Sequence, residues 1–343
     1  MRDERSGAAV RAHYERFPYP SPNASAPPIY DTAIGLDMVV DDLSGCTVLD
    51  AGCGTGHRLV GMAGRFPEAS FVGIDFSDHS LSIAAELARS HGCTNVEFAR
   101  AVIGGPVLGK TFDVITSTGV IHHLSDPAAG IRWLAAHRSS GGLIYTWFYH
   151  PYGEFGRLLD RRLAMLLTGG GDVDQSHPLL AELKLSLTEE RYGSRTAYSQ
   201  EEEPVARLAA DVDAFLHPIV HSYRFGEAAS LFDGTVDWVV VSAVNWAGGA
   251  RVLDATDWSG QEFGTLATSE LFDSTMAREL FSRMEIRAQL DCVEFRLRPT
   301  GFVLVAGDGR SVESCTARVA ASAASANLLP GDLSDPHPAI EWT

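Results

Sequence analysis

Short apolar runs alternate with segments of helical periodicity between residues 46 and 150. The candidate strands read, in order, CTVLD, SFVGID, NVEFARAV, FDVITST and LIYTWFY. After the second of them, DHSLSIAAELARSHG has the spacing of an amphipathic helix, with Ser77 or Asp78 as its N-cap and Gly92 at its end. After the fourth, DPAAGIRWLAAHRSSGG predicts a helix with Pro127 near its first turn and glycines at its end. Strands separated by helices pair in parallel through right-handed crossovers. The pattern predicts the α/β fold class, with a doubly wound, Rossmann-like sheet that is mostly parallel.

The strand–helix alternation stops after residue 150 and resumes near residue 222. Helical pieces, a Gly-rich stretch and the acidic run Glu201–Glu203 occupy the interruption, and we expect that run on a solvated surface. Two more strands, VDWVVVSAV and GFVLVAG, bring the predicted sheet to seven. The expected organisation begins with an N-terminal lid segment at 1–38, a core at 39–150 and a helical cap over the substrate at 151–221. The remainder of the sheet follows at 222–307, with a helical insertion at about 249–298. Residues 308–343 are expected to form a poorly ordered tail.

The amino-acid composition indicates the cellular compartment and excludes some classes of binding partner. The chain has 343 residues, of which 45% are hydrophobic, enough for a sizeable core. A formal net charge of −17 argues against a nucleic-acid partner, because phosphate binding needs basic patches. No apolar run is long enough to cross a bilayer, and the charged start MRDERSGAAV lacks the apolar segment of a secretory signal. Five cysteines without a C-x-x-C pair favour a reduced, cytoplasmic setting.

Three glycines follow the first strand in the stretch VLDAGCGTG. Gly52, Gly54 and Gly56 alternate with other residues shortly after Asp50. Such a loop either turns tightly or lets a ligand approach the backbone. In a doubly wound sheet the loop lies at the carboxyl edge, where these folds bind ligands. The second strand ends in Asp75, whose carboxylate can accept both hydroxyls of a ribose, although G-x-G-x-G differs from the dinucleotide fingerprint G-x-G-x-x-G.

The sequence resembles the class I S-adenosylmethionine-dependent methyltransferases over about residues 45–150. VLDAGCGTG matches the first motif of that family, VGIDFSDHSLSIA is similar to the second, and FDVITSTGVIHHLSDP is similar to the segment around strand four. The resemblance implies S-adenosylmethionine as the cofactor and S-adenosylhomocysteine as the product. It also implies that residues 39–150 are the cofactor-binding core of a methyltransferase domain.

The resemblance assigns cofactor contacts residue by residue. It implies that Asp50 reaches the amino group of the cofactor and that Asp75 holds the ribose, with Phe76 beside the adenine. Many members carry an acidic residue after strand three, whereas this chain reads ARAVIGGP, so backbone groups around Val102 and Ile103 are expected to recognise the adenine. The implied set is Asp50, Gly52, Cys53, Gly54, Gly56, Asp75, Phe76, Val102, Ile103 and Gly119, with Gly119 under the sulfonium end.

Two shorter segments resemble one bacterial subgroup of the family. VRAHYERFPYPSP at 10–22 is similar to an N-terminal segment of the Tyr-Pro-Tyr-Pro type, and DAFLHPIVHSYRFGEAASLF at 213–232 also has a counterpart in that subgroup. Substrates of the subgroup are diverse. The resemblance therefore leaves the methyl acceptor open.

Side chains near the ends of strands four and five, and in the 213–232 segment, supply candidates for catalysis. A hydroxyl or carbon nucleophile needs a general base, whereas an amine or thiolate needs little beyond orientation and desolvation. Catalytic candidates are His122, Tyr149 and His221, and substrate-binding candidates are Tyr14, Tyr19, Tyr152, His217 and Tyr223. His150, Glu154 and Asp213 are further possible bases, while His123 is interpreted as structural and Trp147 and Phe148 as core. Pro218 between His217 and His221 argues against a helical metal site, and no metal is expected.

The predicted function is methyl transfer to an N, O, S or C nucleophile of a small metabolite, by in-line displacement in biosynthetic or specialised metabolism. A peptide or protein acceptor is one alternative, and binding of S-adenosylmethionine without methyl transfer is another. A nicotinamide oxidoreductase is disfavoured by the loop spacing and by the lack of a Tyr-x-x-x-Lys pair. Expected partners are a small-molecule substrate, with no nucleic acid and no membrane, and a homodimer is left open.

Overall fold

A computed structural model of the chain describes residues 2–40, 42–169, 173–189, 192, 204–246, 249–252, 262–263 and 266–308. Its strands are β1 (Thr47–Ala51), β2 (Ser70–Asp75), β3 (Val96–Arg100), β4 (Phe112–Thr118), β5 (Arg138–Tyr149), β6 (Trp238–Trp246), β7 (Gly249–Val252), β8 (Glu262–Phe263), β9 (Leu266–Ala267) and β10 (Gly301–Gly307). Its helices are α1 (Arg2–Arg16), α2 (Asp31–Val39), α3 (His57–Arg65), α4 (Asp78–Ser90), α5 (Pro127–Ala136), α6 (Phe155–Leu167), α7 (Val173–Glu182), α8 (Pro204–Leu216), α9 (Phe225–Ser230), α10 (Thr268–Leu271), α11 (Thr275–Ser282) and α12 (Ile286–Leu297).

The main sheet has the order β3-β2-β1-β4-β5-β10-β6-β7, and β8 pairs with β9 separately. Strands β1 to β5 pair in parallel, whereas β10 runs antiparallel to both β5 and β6. The predicted doubly wound α/β sheet is confirmed. Its seven expected strands are all present, and the short antiparallel strand β7 adds an eighth at the edge. Strand order reverses between β1 and β4, where doubly wound folds bind their ligands.

Both faces of the sheet are covered, because successive strand residues point to opposite sides. Leu49, Ile115 and Phe302 belong to one buried cluster, and their neighbours in sequence belong to a second cluster on the other face. The central strands are therefore mainly apolar, as a sheet buried on both faces requires. A third cluster joins α6, α7 and α8 around Phe215, and Tyr19 of the N-terminal segment packs against it.

Local sequence signals set several element boundaries. The Ser77 side chain accepts a hydrogen bond from the backbone N–H of Ser80 and caps α4, which selects Ser77 over Asp78. Asp126 caps α5 in the same way, and Pro127 lies in its first turn, as expected. Strand β5 begins at Arg138, so the RSSGG stretch that we assigned to the end of a helix lies in the strand instead.

Parts of the expected organisation lie outside the described residues. These are the tail from 309 onward, the acidic run Glu201–Glu203, and part of the insertion at 249–298. The described part of that insertion contains the helices α10 to α12 and also the strands β7, β8 and β9. Within the described residues, no helix is both long and apolar enough to span a membrane.

Candidate functional site

A cavity lies at the carboxyl ends of β1, β2 and β4, at the point where strand order reverses, and its empty space together with its open mouth amounts to about 960 Å³. Most of the predicted cofactor residues line it, namely Asp50, Gly52, Cys53, Gly54, Asp75, Phe76, Val102, Ile103 and Gly119. Two predicted substrate residues, Tyr14 and Tyr19, line it as well. Gly56 does not, because it stands at the start of α3 and faces Ala84.

The loop between β1 and α3 needs glycine for two reasons, namely its backbone conformation and the close packing of other segments of the protein against it. Gly52, Gly54 and Gly56 have φ values of 81°, 53° and 78°, a region that other residues rarely adopt. A Cβ at Gly52 would lie 2.7 Å from the side chain of Val120, and one at Gly54 would collide with the backbone carbonyl of Tyr19. The sequence indicated close approach of a ligand. Close approach of other protein segments is a second, independent reason for these glycines.

Asp50 is a buried carboxylate at the wall of the cavity. It accepts a hydrogen bond of 2.9 Å from the hydroxyl of Thr116. Burial raises its pKa to about 6, although Thr116 and the nearby Arg58 act in the opposite direction. Arg58 also lines the cavity, and both oxygens of Asp31 accept hydrogen bonds of 3.0 Å from its Nε. No motif in the sequence indicated Arg58, which the first turn of α3 brings to the site.

Asp75 ends β2 with both of its carboxylate oxygens held by backbone N–H groups. Gly54 donates to Oδ2 at 3.0 Å, and Ser77 donates to Oδ1 at 2.9 Å. Burial raises the pKa of this carboxyl, while the three neighbouring N–H groups oppose that rise. These hydrogen bonds fix the carboxylate orientation and leave further lone pairs on each oxygen for a ligand. Phe76 follows directly, with its ring 6.1 Å from that of Tyr14.

The N-terminal segment forms the roof of the cavity. Val10, Tyr14, Tyr19 and Pro20 all line it. The carbonyl oxygen of Tyr19 accepts a 3.0 Å hydrogen bond from the backbone N–H of Thr55, in the glycine loop. Val10 and Pro20 were not predicted, because nothing in the sequence indicates which N-terminal side chains turn inward.

The roof is also joined to the cap that contains α8. The hydroxyl of Tyr14 donates a 2.9 Å hydrogen bond to Oδ1 of Asp213. Burial and the carboxylate of Asp213 raise the pKa of Tyr14, so its hydroxyl keeps its proton and remains a donor. Two segments far apart in sequence are thereby connected beside the cavity.

The two adjacent histidines after β4 occupy different environments, and these are the reverse of the predicted ones. His122, the catalytic candidate, is fully buried, and neither of its ring nitrogens has a hydrogen-bond partner among the described residues. Its ring lies 5.7 Å from Trp147 and 4.4 Å from Tyr149. His123, interpreted from sequence as structural, lines the cavity. The reversal arises because the two residues share one turn of 3₁₀-helix, which directs neighbouring side chains differently.

The other two catalytic candidates also lie away from the cavity in the described part of the chain. The guanidinium carbon of buried Arg157 lies 4.6 Å from the ring centroid of Tyr149. Nε2 of His221 is 3.2 Å from the carbonyl oxygen of Leu124. Neither side chain lines the cavity wall. Both contacts are typical of packing residues.

Two predicted substrate residues, Tyr152 and Tyr223, are placed elsewhere as well. The ring of Tyr152 lies 5.9 Å from Phe295 of α12. The ring of Tyr223 lies 5.7 Å from Phe148 in the sheet core. The chain turns away from the cavity after β5, which the aromatic pattern of the sequence could not reveal. Neither residue lines the cavity.

His217 joins a buried polar cluster with His13 and Asp213 behind the roof. One potential ligand atom from each of the three residues lies within 4.8 Å of the others, a spacing that could hold a metal ion. However, the backbone N–H of Ile219 donates to Nδ1 of His217 at 3.1 Å. A neutral ring must then carry its proton on Nε2, which becomes a donor and cannot ligate a metal.

Comparisons with known proteins agree with this geometry. A family model described as "Methyltransferase domain" matches residues 42–167. The ubiquinone biosynthesis O-methyltransferase of Nitrosomonas europaea is 32% identical over 32% of this chain and 46% of its own length. The magnesium-protoporphyrin O-methyltransferase of Rhodobacter capsulatus is 29% identical over 33% of this chain and 50% of its own length. The chain thus spans half or less of the length of these curated relatives.

A solved structure extends the similarity beyond the core. The structure of PKMT2 from Rickettsia typhi in complex with AdoHcy superposes with a TM-score of 0.52 at 18% identity, and covers 83% of this chain and 53% of the other. At that identity the likeness shows the fold. The family match supports the predicted methyltransferase activity and its S-adenosylmethionine cofactor, and the glycine loop and Asp75 line the cavity where the sequence placed that cofactor. Residues 42–167 are therefore similar to methyltransferase domains, in agreement with the family that the sequence motifs indicated.

Proposed function

We propose that the whole protein transfers a methyl group from S-adenosylmethionine to a small molecule inside a closed site. The observation that carries the proposal is the roof formed by Val10, Tyr14, Tyr19 and Pro20, which covers the cavity with the protein's own chain. A covered cavity suits a small acceptor better than a peptide, because a peptide needs an open groove. The curated relatives described above are O-methyltransferases with small-molecule names, which supports the same choice.

The residues around the cavity fit the cofactor group by group. The negative charge of the buried Asp50 carboxylate is only partly balanced by its neighbours, and the ammonium group of the cofactor would supply the missing positive charge. Arg58 would pair with the carboxylate of the same amino-acid tail. Asp75 would accept the ribose hydroxyls with lone pairs that its backbone donors leave free. Phe76, Val102 and Ile103 would enclose the adenine.

When bound, S-adenosylmethionine supplies an electrophilic methyl group on a sulfonium. The protein supplies position and exclusion of water. Asp50 and Asp75 fix the two ends of the cofactor, while Tyr14 and Tyr19 close the cavity above it. Holding the two reacting groups close and aligned accounts for much of the rate enhancement in such transfers.

Calorimetric titration tests the cofactor assignment. We expect micromolar binding of S-adenosylmethionine and S-adenosylhomocysteine to the wild type and no binding of NADH. Asp75→Ala should weaken both by roughly 10- to 100-fold, the value of a hydrogen-bonded charged group. Asp78→Ala, an exposed neighbour paired with Arg100, is the matched control and should bind normally. Equal affinity of the wild type and Asp75→Ala would reject the proposed site.

A screen of acceptors tests the substrate class. Small hydroxyl, amine and thiol compounds would be compared with synthetic peptides by mass spectrometry of methylated products. Methylation restricted to peptides would contradict the closed-site proposal. Binding of the cofactor with no methylated product in any class would favour a binding protein without transfer.

A further inference from the structure

We propose that the outer face of α6 is the interface of a homodimer, so that a second copy of this chain covers it. Five large apolar side chains define the outer face, and each residue has between 45% and 72% of its surface exposed. They are Phe155, Leu159, Leu163, Leu166 and Leu167. The proposal goes beyond methyl transfer and does not depend on which acceptor the protein methylates.

The polarity of α6 is the reverse of that of an ordinary surface helix. Arg157 is buried, and its guanidinium donates a hydrogen bond to the carbonyl oxygen of Ala214. The guanidinium of Arg161 also turns inward and donates to the carbonyl oxygen of His217. A surface helix normally directs its apolar stripe to the core and its charged residues to water. Folding of a single copy gains nothing from large apolar side chains that stay in water, so this arrangement indicates a surface that a partner covers.

The outer face is large enough to form the centre of a stable interface. Its side chains recur at spacings of three and four residues, which places them in one stripe along the helix. Five half-exposed side chains of this size form a patch on the order of several hundred Å², as interaction sites on soluble proteins do. A standard interface buries roughly 800 Å² on each partner, and a polar rim around the apolar centre supplies the remainder.

The distribution of charge favours a second copy over a membrane surface. The exposed positions of α6 include no acidic residue, although the chain carries a net charge of −17. Their single charged residue is Arg162. A helix that lies on a bilayer normally carries several Lys or Arg residues beside its apolar stripe, and anionic headgroups repel an acidic protein. Two acidic copies meet most easily where carboxylates are absent, as they are on the outer face.

The exposed positions of α6 also match one another under a two-fold axis. Apart from Arg162, they form three pairs spaced evenly about position 161, namely 155 with 167, 156 with 166 and 159 with 163. A two-fold axis that crosses the helix at this height brings the members of each pair level in two antiparallel helices. Leu159 of one copy then faces Leu163 of the other, and Gly156 leaves room for leucines at the far end of the partner helix. An isologous dimer requires a self-complementary face of this kind.

Pairing through α6 would join the caps of the two copies. The inner side of the helix holds the end of α8, through the hydrogen bond from Arg157 to Ala214. In the part of the chain that the structure describes, no residue of α6 lines the cofactor cavity. Dimerisation and cofactor binding are therefore expected to be separable by substitution.

Sedimentation velocity of the wild type tests the oligomeric state. At about 100 µM, well above the micromolar range in which the weaker interfaces of standard size dissociate, we expect a species of twice the mass of the chain. Added NaCl should strengthen the dimer, because salt screens the repulsion between two acidic copies and leaves apolar contacts intact. A monomer at this concentration, or a dimer that salt dissociates, would overturn the proposal.

Leu159→Glu tests the outer face itself. Leu159 is 53% exposed, so a carboxylate at this position meets water in the monomer. Because the contact is symmetric, the substitution enters the interface twice and should weaken dimerisation by roughly 100-fold or more, as changes of hot-spot residues do. Leu280→Glu is the matched control, since Leu280 is also 53% exposed but lies on α11. An intact dimer in Leu159→Glu, or equal dissociation by Leu280→Glu, would contradict the assigned face.

Mixing two variants tests the antiparallel pairing. Leu159→Glu and Leu163→Lys should each be monomeric when alone. An equimolar mixture should form a heterodimer, because the new carboxylate of one copy faces the new ammonium group of the other. A mixture that stays monomeric would contradict the two-fold arrangement on which the proposal rests.

Two further measurements separate this inference from its alternatives. Vesicles of phosphatidylcholine with phosphatidylglycerol should not bind the wild type, and binding by a monomeric wild type that Leu159→Glu abolishes would assign the outer face to a membrane instead. Leu159→Glu should bind S-adenosylhomocysteine with wild-type affinity, which shows that it is folded. A monomeric wild type that binds S-adenosylhomocysteine would reject the dimer alone. A dimeric wild type that fails to bind it would reject the proposed function alone.

Discussion

Asp50 is a buried carboxylate whose negative charge is only partly balanced by its neighbours. Binding of the cofactor should therefore change its pKa. Its pKa is about 6, since burial disfavours the charged form. In the protein without ligand, the contribution of Asp50 to the free energy of unfolding is therefore present at low pH and is lost as the pH rises through about 6. A cationic ligand beside Asp50 favours the charged form. Protonation of Asp50 and binding of the cofactor thus compete.

We expect the affinity for S-adenosylhomocysteine to be constant above pH 7 and to fall as the pH drops through 6. Between pH 7.5 and pH 5.5, a group with a pKa near 6 loses ionisation by about fourfold, and affinity should fall by a similar factor. Calorimetry at the two pH values measures the change. Asp50→Asn should bind weakly at both pH values and show no such fall below pH 6. An unchanged pH dependence in Asp50→Asn would show that another group is responsible.

At the scale of elements, the N-terminal segment and the glycine loop are packed directly against each other. Gly54 combines a left-handed backbone with a position directly under the carbonyl of Tyr19. The same carbonyl accepts the hydrogen bond from Thr55. The loop between β1 and α3 therefore shapes the roof of the cavity as well as its wall.

Gly54→Ala should both destabilise the protein and weaken cofactor binding. The left-handed backbone alone costs an alanine about 1–2 kcal/mol, and the clash with Tyr19 must displace the roof in addition. Gly45→Ala is the matched control, because Gly45 has a φ of 74° with no atom near its missing Cβ. We expect similar losses of unfolding free energy from backbone strain in both variants. Only Gly54→Ala should weaken binding of S-adenosylhomocysteine, and equal affinities would contradict the proposed role of the roof.

The elements themselves were largely predictable, because their signals are local. The strands β1 to β6 and β10 follow from short apolar runs, and α4 and α5 follow from the capping residues Ser77 and Asp126. The start of β5 was misplaced because two glycines at 141 and 142 indicated a helix end. Pairing with β4 extends the strand through them instead. Tertiary pairing overrides local propensity in such positions.

At the scale of the whole molecule, the cavity is assembled from three regions of the chain. The N-terminal segment roofs it, the sheet edge forms its wall, and the cap that contains Asp213 holds the roof through Tyr14. A ligand in the cavity contacts the first two regions and stabilises the third through this hydrogen bond. Ligand binding should therefore reduce opening in all of them together.

Hydrogen–deuterium exchange should detect this coupling. With S-adenosylhomocysteine at about 100 times its Kd, binding adds about 2.7 kcal/mol to the free energy of unfolding. We expect slower exchange at residues 10–21, in the loops at 50–56 and 75–77, and near Asp213. Helix α12 should change less because it lies away from the cavity, and Asp75→Ala should show none of these effects at the same ligand concentration. Protection confined to the two loops would show that the N-terminal segment is not part of the closed site.

The sequence by itself determined the sheet, the glycine loop, and the pair of carboxylates Asp50 and Asp75. Hydrophobic periodicity and turn chemistry are read over a few residues, and a motif after β1 must lie at the carboxyl edge of the sheet. Only the tertiary structure decided which histidine reaches the cavity and what closes it. The contact of Tyr14 with Asp213 spans 199 positions, and the tautomer of His123 depends on a carbonyl 96 residues away. Such pairings are set by how distant segments pack, and a pattern within one segment carries no information about them.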